Sequence, residues 1–232
     1  MNDQLDRHSK ALDAELITDP DELAAREARN GLRQFDAVVE MVDFFLQPDR
    51  DFRLRLSHLL HLHRVALEGI SQYAGNFRPA GIKIGGSRHQ PVGAHLVPGE
   101  VEELCDYVNE HWKTATPIHL GAYVLWRVNW IHPFTDGNGR TARAVSYIVL
   151  CVRLGYLLPG TNTIAEQIAA DKGPYYRALE AADEGWRNNK LDLTILEELL
   201  AGLLANQLLS IHAKATGRIN KVKPEIVERK FH

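Results

Sequence analysis

The sequence contains few cysteines, no strong excess of either charge and no long hydrophobic run. Of its 232 residues only Cys105 and Cys151 are cysteines, which excludes a framework of several disulfide bridges. Both lie in apolar patterns typical of helices, so we expect two buried thiols in a reducing compartment, with a single disulfide as the open alternative. The first residues, Met1 to Asp6, are polar and acidic, unlike a secretory signal, and this favours a cytoplasmic protein.

The balance of charge and apolar residues argues against two classes of partner. The formal net charge is −3 at pH 7, which gives no global attraction to nucleic acid or to a membrane surface. No stretch approaches the roughly 18 apolar residues that a membrane-spanning helix needs. With 45% hydrophobic residues the chain can bury one sizeable core. We therefore expect no nucleic-acid partner and no membrane partner.

Apolar residues recur at helical spacing along most of the chain, which predicts a mostly helical fold. In the first helix Asp19 and Pro20 form an N-terminal cap, and Phe35, Val38 and Val42 follow at helical intervals. The predicted helices span 19–47, 51–74, 98–113, 117–130, 140–154, 163–170, 174–188 and 192–212.

Three histidines lie in the second predicted helix. No two of His58, His61 and His63 are four residues apart, and no acidic cluster accompanies them. We interpret them as ordinary helix residues and not as a metal site.

Glycine residues punctuate the segment 75–98, where helical spacing is lost. The short run Ile82, Lys83 and Ile84, followed by two glycines and a return segment from His89 to Val92, predicts a small β-hairpin. A plain surface loop is the alternative interpretation.

One short segment combines residue types that suit a phosphate site. Gly137 and Gly139 flank Asn138 in a turn, and glycines let ligand atoms approach the backbone closely. The N–H groups of such a turn, with those at the start of the following helix, favour a di- or triphosphate. Arg140 and Arg143 lie three residues apart, and their guanidinium groups suit phosphate oxygens.

The same segment offers a proton acceptor and a metal ligand. His132 precedes the turn, and an imidazole with its usual pKa of about 6.5 is available as a general base at cellular pH. Asp136 supplies a hard oxygen ligand, and Mg²⁺ is typically held by one or two carboxylates together with substrate phosphates. Taken singly, these features also suit a helix end, a common turn and a solvated helix face. The ordered set favours a nucleotide-phosphate site because packing requires no such combination.

The whole segment resembles the signature of the Fic family, His-x-Phe-x-(Asp/Glu)-Gly-Asn-Gly-Arg-x-x-Arg, at every fixed position. The resemblance extends from about Leu54 to Gln207. It implies a Fic-type helical bundle with a small β-hairpin, the flap, next to the active-site loop. Because Fic enzymes commonly transfer AMP from ATP to a protein, the resemblance implies a protein adenylyltransferase (AMPylator) that modifies Ser, Thr or Tyr.

The resemblance also implies a role for each residue of the signature. His132 is expected to deprotonate the target hydroxyl, and Asp136 is expected to hold Mg²⁺ against the phosphates. The turn 137–139 is expected to form the anion hole. Arg140 is expected at the β- or γ-phosphate and Arg143 at the γ-phosphate.

Two further sites are implied outside the signature. The flap of Fic proteins registers the target segment by strand-like pairing, and Ile82, Lys83 and Ile84 are the residues expected in that role. Tyr176 is expected near the base and ribose of the nucleotide. A buried tyrosine with a purely structural role is the alternative for Tyr176.

Many Fic proteins are held inactive by a helix whose glutamate pairs with the second arginine of the signature, here Arg143. Glu27 is the N-terminal candidate for this autoinhibitory role. Leu23 and Ala28 depart from the inhibitory pattern (Ser/Thr)-x-x-x-Glu-(Gly/Asn), so only the glutamate agrees. A solvated glutamate without such a role is the alternative.

The nature of the transferred group depends on one position of the signature. Doc-like relatives, which transfer phosphate, carry Lys where this chain has Gly139, so Gly139 favours nucleotidyl transfer. Transfer of UMP or phosphocholine, removal of AMP, and a catalytically silent nucleotide-binding module stay open.

The sequence divides into three expected segments. Residues 1–50 form an N-terminal helical arm with a possible regulatory role, 51–212 form the Fic core, and 213–232 form a basic, flexible tail. A homodimer is an open alternative to a monomer.

Overall fold

The computed structural model describes residues 9–10 and 16–215, with side chains placed from 16 to 211. This part of the protein is mostly helical, which confirms the sequence prediction. Its two strands are two residues long. The elements are β1 (Ser9–Lys10), α1 (Pro20–Phe45), α2 (Leu56–Leu67), β2 (Lys83–Ile84), α3 (Val97–Glu110), α4 (Pro117–Ile131), α5 (Asn138–Leu154), α6 (Ile164–Ala170), α7 (Gly173–Arg187) and α8 (Thr194–Ala215).

Helix α4 runs through the centre of the core. It is apolar on nearly every side, and a helix of that kind buries all its faces. It packs against α3, α5, α7 and α8. Gly121 allows the close approach of two of them, since a Cβ there would lie 3.0 Å from Leu150 Cγ and 3.1 Å from Leu200 Cδ2. This packing fixes the C-terminal end of α4, where His132 follows.

Helix α1 begins at the predicted cap and packs on the core. The Asp19 side chain accepts hydrogen bonds from the backbone N–H groups of Asp21 and Glu22, both at 2.9 Å. Further along, the buried Asn30 side chain donates to the carbonyl of Glu68 at 2.9 Å, and the Gln34 side chain donates to the carbonyl of Leu62 at 3.1 Å. These bonds attach α1 to α2. The division between an arm (1–50) and a core (51–212) stays a prediction.

Helix α2 is shorter than the sequence pattern predicts. Residues 51–55 are not helical, because Leu54 is bonded to α3 through its backbone: its N–H donates to Asn109 Oδ1 (2.7 Å) and its carbonyl accepts from Asn109 Nδ2 (2.9 Å). The helix ends at Leu67, where Glu68 takes a ψ of 122°. A long-range side-chain contact therefore overrides the local helical spacing.

The predicted hairpin over Ile82–Ile84 and 89–92 is not formed. Strand β2 pairs instead with β1, antiparallel, with Ser9 opposite Ile84 and Lys10 opposite Lys83. The return segment is held by other partners: the His89 ring donates to the carbonyl of Trp130 at 2.7 Å, and the Arg78 guanidinium donates to the carbonyl of Val92. These bonds turn the return segment toward the end of α4.

Helix α8 corrects the expectation that no segment is apolar enough to cross a membrane. The window Thr194–Ile211 is long and apolar enough by length and composition, and 17% of it is buried. Two glutamates and two amides interrupt the apolar residues of this window, so the sequence shows no continuous apolar run there. The buried Gln207 bonds the loop before α6, accepting from the N–H of Ile164 (3.0 Å) and donating to the carbonyl of Pro159 (3.2 Å). The absence of a membrane partner stays a prediction.

The two cysteines are free buried thiols, as the sequence predicts. Burial raises the pKa of Cys105 to about 12 and that of Cys151 to about 11, so both stay protonated at neutral pH. Residues 216–232, most of the predicted basic tail, lie outside the described part of the chain.

Candidate active site

The signature residues border one cavity of about 580 Å³. Its walls come from α1, the flap segment, the end of α4, the loop 132–137, the start of α5, and α7. A volume of this size suits a small-molecule ligand such as a nucleotide. All seven signature residues to which the sequence analysis assigns a role line it: His132, Asp136, Gly137, Asn138, Gly139, Arg140 and Arg143.

His132 caps α4 in a conformation that non-glycine residues rarely adopt. Its φ is 53° and its ψ is 59°, and its N–H donates to the carbonyl of Val128 at 2.9 Å. Strained backbone of this kind costs on the order of 1–3 kcal/mol and is concentrated at functional sites. The strain is held by the buried α4 before His132 and by Pro133 after it.

The ring of His132 is held in the form that a general base requires. Nδ1 lies 3.2 Å from the carbonyl of Asn129, which can only accept, so Nδ1 carries the proton and Nε2 carries the lone pair. Burial lowers the pKa of His132 to about 4, although the bond to Asn129 opposes this shift. The imidazole is therefore neutral at cellular pH.

His63, interpreted from the sequence as an ordinary helix residue, supports the active-site loop. The backbone N–H of Gly75 donates to Nδ1 at 3.0 Å, so Nε2 carries the proton and donates to the carbonyl of Asp136 at 3.1 Å. Its ring stacks on Phe134 with centroids 3.7 Å apart and planes 6° apart. Burial lowers the pKa of His63 to about 4, so this neutral tautomer persists at neutral pH. No local sequence signal marks the contact, because 73 residues separate His63 from Asp136.

Arg78, which the sequence analysis did not single out, joins the flap segment to the catalytic loop. It is 2% exposed. Its Nε donates to the carbonyl of His132 at 2.8 Å, its Nη1 donates to the carbonyl of Ala80 at 2.9 Å, and its Nη2 donates to the carbonyl of Val92. Its own N–H donates to the carbonyl of Pro133 at 2.9 Å. One buried guanidinium thus connects the two ends of the flap segment, at Ala80 and Val92, with the backbone carbonyl of His132.

The turn after His132 is fixed by the side chain of Asn138. Its Oδ1 accepts from the N–H of Phe134 and its Nδ2 donates to the carbonyl of Phe134, both at 2.9 Å. Gly137 takes a φ of 74°, and a Cβ there would lie 2.6 Å from Leu67 Cδ2. Glycine is therefore required at this position. The turn places the unpaired N–H groups at the start of α5 against the cavity, which suits an anion.

The two arginines of the signature lie in different environments. Arg140 Nη1 lies 3.0 Å from Glu27 Oε1, and its Nη2 lies 2.8 Å from Asp136 Oδ2. Arg143 is partly buried, and burial lowers its pKa. No carboxylate among residues 16–211 forms an ion pair with Arg143, so the expected pairing of Glu27 with Arg143 is wrong in this structure and Arg140 takes that place. The two arginines differ because α1 passes over the start of α5 and places Glu27 beside Arg140.

Another wall of the cavity comes from α7. Tyr175, Tyr176, Leu179 and Asp183 line the cavity. Tyr176 therefore borders the site as expected. Asp183, which the sequence analysis missed, accepts from the indole of Trp126 at 2.9 Å.

The flap residues divide between the cavity and the surface. Ile84 lines the cavity with His132, whereas Lys83 is exposed and Ile82 is partly buried outside the cavity wall. Only one of the three predicted docking residues thus reaches the site.

A metal ion would find one carboxylate beside the phosphate cradle. No cluster of three or more His, Cys, Asp or Glu side chains occurs among the described residues. Asp136 is 57% exposed at its side chain and lies next to Arg140. A single carboxylate fits Mg²⁺ that arrives with a nucleotide, because such an ion takes most of its ligands from phosphates and water.

Comparison with known proteins shows which family this part of the chain is similar to. Residues 53–150 match the model of the Fic/DOC family. Protein adenylyltransferase fic-1 of Caenorhabditis elegans is 30% identical over 155 residues, 65% of this chain and 28% of that protein. Protein adenylyltransferase Fic of Drosophila persimilis is 33% identical over 138 residues, 57% of this chain and 25% of that protein. The chain thus spans less than a third of the length of these relatives.

Solved structures share the fold. A Fic family protein from Desulfovibrio desulfuricans G20 has a TM-score of 0.65 at 22% identity, covering 88% of this chain and 57% of that chain. Fic-1 from Caenorhabditis elegans has a TM-score of 0.65 at 24% identity, covering 87% and 55%. BepC of Bartonella tribocorum, with bound AMPPNP, has a TM-score of 0.53 at 16% identity, covering 81% and 88%. Residues 53–150 are thus similar to the Fic/DOC family in sequence, and the described part of the chain shares its fold with solved Fic proteins.

Proposed function

We propose that this protein transfers AMP from Mg-ATP to a hydroxyl side chain of a target protein. The observation that carries the proposal is the shared cavity of a neutral general base, His132, and two arginines at a helix N-terminus. The curated relatives are named protein adenylyltransferases, and a structural neighbour was solved with bound AMPPNP. Both support a nucleotide as the ligand of this cavity.

His132 takes the proton in the proposed reaction. The target hydroxyl gives its proton to Nε2 of His132 while its oxygen attacks the α-phosphorus. The bond from that phosphorus to the bridging oxygen of the β-phosphate breaks, and pyrophosphate leaves. The carbonyl of Asn129 then stabilises the imidazolium through the proton on Nδ1. The phosphates of bound ATP raise the pKa of His132 from its value of about 4, because nearby negative charge favours the protonated form.

The remaining signature residues bind and orient the nucleotide. The N–H groups at the start of α5 and the guanidinium of Arg143 are placed to bind the phosphates. Arg140 joins them when it leaves Glu27. Asp136 would hold the Mg²⁺ of Mg-ATP, and the ion would neutralise charge on the leaving pyrophosphate. Positioning and charge stabilisation thus supply the catalysis, without a covalent enzyme intermediate.

Ile84 and the flap are proposed to register the target, and Tyr176 to border the base or ribose. We also place the reaction in the cytoplasm, because Cys105 and Cys151 are free thiols of the kind that reducing compartments preserve.

Parallel reactions with α-labelled and γ-labelled ATP test the proposal. Protein label from the α-position alone is expected, and it should fall about 10²–10⁴-fold in His132→Ala, which lacks the general base. His61→Ala, a change of an exposed histidine on α2, is the matched control and should keep its label. Label from the γ-position alone would replace adenylylation with phosphorylation. Label from α-labelled UTP in preference to ATP would favour UMP transfer.

A further inference from the structure

The backbone carbonyl of Asn129 lies in the last turn of α4, where the carbonyls of a helix lose their donors from the following turn. If the helix continued, this carbonyl would accept from the N–H of residue 133, four positions later. That residue is Pro133, which has no N–H and whose ring would clash with the carbonyl. The proline therefore removes the usual helical partner of the Asn129 carbonyl.

Pro133 also excludes a second common way of ending a helix. In a Schellman ending, the N–H of His132 would donate to the carbonyl of Asn129, and the N–H of residue 133 would donate to the carbonyl of Val128. Because Pro133 cannot donate, the N–H of His132 donates to the carbonyl of Val128 instead, at 2.9 Å. The φ of 53° at His132 fits this simpler ending, in which a single bond closes the helix.

The imidazole of His132 takes the place of both excluded donors. Its Nδ1 lies 3.2 Å from the carbonyl of Asn129. The Asn129 side chain holds this carbonyl in place, because its Nδ2 donates to the carbonyl of Leu125 at 2.7 Å and to the hydroxyl of Tyr175 at 2.9 Å. Since a carbonyl can only accept, the contact keeps the proton of the neutral ring on Nδ1 and the lone pair on Nε2.

We propose that Pro133 is a positioning residue, which sets the tautomer of His132 by leaving the Asn129 carbonyl to the histidine ring. The inference rests on the proposed function, since a general base needs its lone pair on the nitrogen that faces the target hydroxyl. Pro133 is not among the residues that line the cavity, so it acts through His132. With an N–H at position 133, backbone donors would compete with the ring for the carbonyl. Part of the molecules would then carry the proton on Nε2, where it blocks proton transfer.

Two replacements at position 133 separate the effect of the N–H from that of the proline ring. Pro133→Ala introduces the N–H. An ester variant, with lactic acid in place of Pro133, has the shape of the alanine variant but an oxygen atom in place of its N–H. Both lack the ring, so a difference between them reports on the N–H alone. Pro48→Ala is the matched control, because Pro48 is exposed and also follows the end of a helix, α1.

Nitrogen-15 NMR measures the tautomer without any need for activity. At pH 7.5 the chemical shifts of the ring nitrogens distinguish a protonated nitrogen from an unprotonated one, and His132→Gln identifies the signal of His132 among the 11 histidines. We expect the proton on Nδ1 in the unmodified protein, in Pro48→Ala and in the ester variant, and a mixture of tautomers in Pro133→Ala.

The kinetics of protein labelling should follow the tautomer. In Pro133→Ala we expect kcat to fall about fivefold, the shift that one hydrogen bond of this kind typically gives an equilibrium. The KM for ATP should stay unchanged, because the groups that bind the phosphates are intact. The ester variant should keep both values. A general loss of structure would instead change kcat and KM together in both replacements.

Each outcome supports or overturns the role of Pro133. Mixed tautomers and a lower kcat in Pro133→Ala, with the proton on Nδ1 in the ester variant, support it. The same tautomer in every variant, or an equal loss in both replacements, overturns it, because the N–H then has no role. If Pro133→Ala does not fold, the ester variant decides alone: a proton on Nδ1 supports the proposal, and a proton on Nε2 overturns it.

Failure of the proposed function is distinguishable from failure of this inference. Absence of AMP transfer by the unmodified protein overturns the proposed function, while the NMR measurement still decides whether Pro133 sets the tautomer. A proton on Nε2 in an unmodified protein that does transfer AMP overturns the inference alone.

Discussion

The Nε of Arg78 donates to the backbone carbonyl of His132 across 2.8 Å, which ties the flap segment directly to the general base. The same guanidinium bonds the carbonyls of Ala80 and Val92, at the two ends of the flap segment. One buried side chain therefore contacts both the strained backbone at His132 and the two ends of the flap segment. A displacement of the flap segment is therefore expected to move the backbone of His132, and the reverse.

Replacing Arg78 should damage catalysis more than nucleotide binding. Arg78→Ala leaves several buried carbonyls without a donor, and each such group costs about 1–3 kcal/mol. We expect kcat/KM for protein labelling to fall about 10–100-fold, as a small misplacement of a catalytic group does, with ATP affinity changed much less. Calorimetric titration of ATP and a labelling assay measure the two effects.

Arg88→Ala is the matched control, because Arg88 is an exposed arginine in the same segment. It should leave both kcat/KM and stability within experimental error of the unmodified protein. Equal losses of ATP affinity and kcat/KM in Arg78→Ala would instead indicate that Arg78 supports the nucleotide site as a whole.

The two buried histidines predict a loss of stability in mild acid. The pKa of His63 and that of His132 are about 4 in the folded protein, below the value of about 6.5 in the unfolded chain. The unfolded chain thus binds more protons between these values. The stability that the neutral rings contribute is complete above pH 6.5 and is lost as the pH falls toward 4. Each ring contributes on the order of 3 kcal/mol by this linkage.

Urea unfolding at pH 7.5, 6, 5 and 4.5 measures this dependence. The free energy of unfolding should fall steadily across the series, and the fall should be smaller in His63→Gln, which has no titrating ring. His61→Gln serves as the exposed-histidine control and should follow the unmodified protein. An unfolding free energy that stays constant from pH 7.5 to 4.5 would contradict the low pKa values.

The features that the sequence could predict depend on local chemistry. The cap at Asp19 and the phosphate turn both follow from neighbouring residues, and each lies where it was expected. The signature is predictable for the same reason, because its side chains and its turn belong to one continuous segment. This explains why His132, Asp136 and both arginines meet at one cavity.

The features that the sequence could not predict depend on distant contacts. The hydrogen bonds of Asn109 to the backbone of Leu54 keep Leu54 out of α2. The His63 ring donates to the carbonyl of Asp136, which lies 73 positions further along the sequence. The flap strand finds its partner near the N-terminus and not in the next segment, because Arg78 engages the return segment. Local periodicity carries no information on any of these.

Gly137 should resist even the smallest substitution. Its φ of 74° disfavours every other residue type, and a Cβ would lie 2.6 Å from Leu67 Cδ2 inside the core. Gly137→Ala should lower stability by more than about 1 kcal/mol and lower labelling at least about tenfold. Gly99→Ala, where nothing lies within 4 Å, is the control and should be neutral or slightly stabilising because the site is helical. Thermal unfolding and a labelling assay measure the two effects. An unchanged unfolding temperature together with full labelling activity in Gly137→Ala would contradict the assigned turn.

The ion pair between Glu27 and Arg140 should restrain nucleotide binding. Arg140 is shared between Glu27 and Asp136, so phosphates must compete with both carboxylates for its donors. Glu27→Gln removes one competitor while keeping the shape of the side chain. Because a partly exposed pair contributes at most about 1 kcal/mol, we expect ATP affinity to rise by about fivefold at most, with little change in stability.

Glu22→Gln, in the exposed first turn of α1, is the matched control, since it removes equal charge away from the cavity. ATP titration of both variants separates a local release of Arg140 from a general effect of charge. The gain in Glu27→Gln should shrink at high salt, as that of a partly exposed ion pair does. An equal gain in both variants would show that Glu27 acts only through net charge. A gain in labelling without a gain in ATP affinity would place the effect of Glu27 on the orientation of the phosphates, through Arg140.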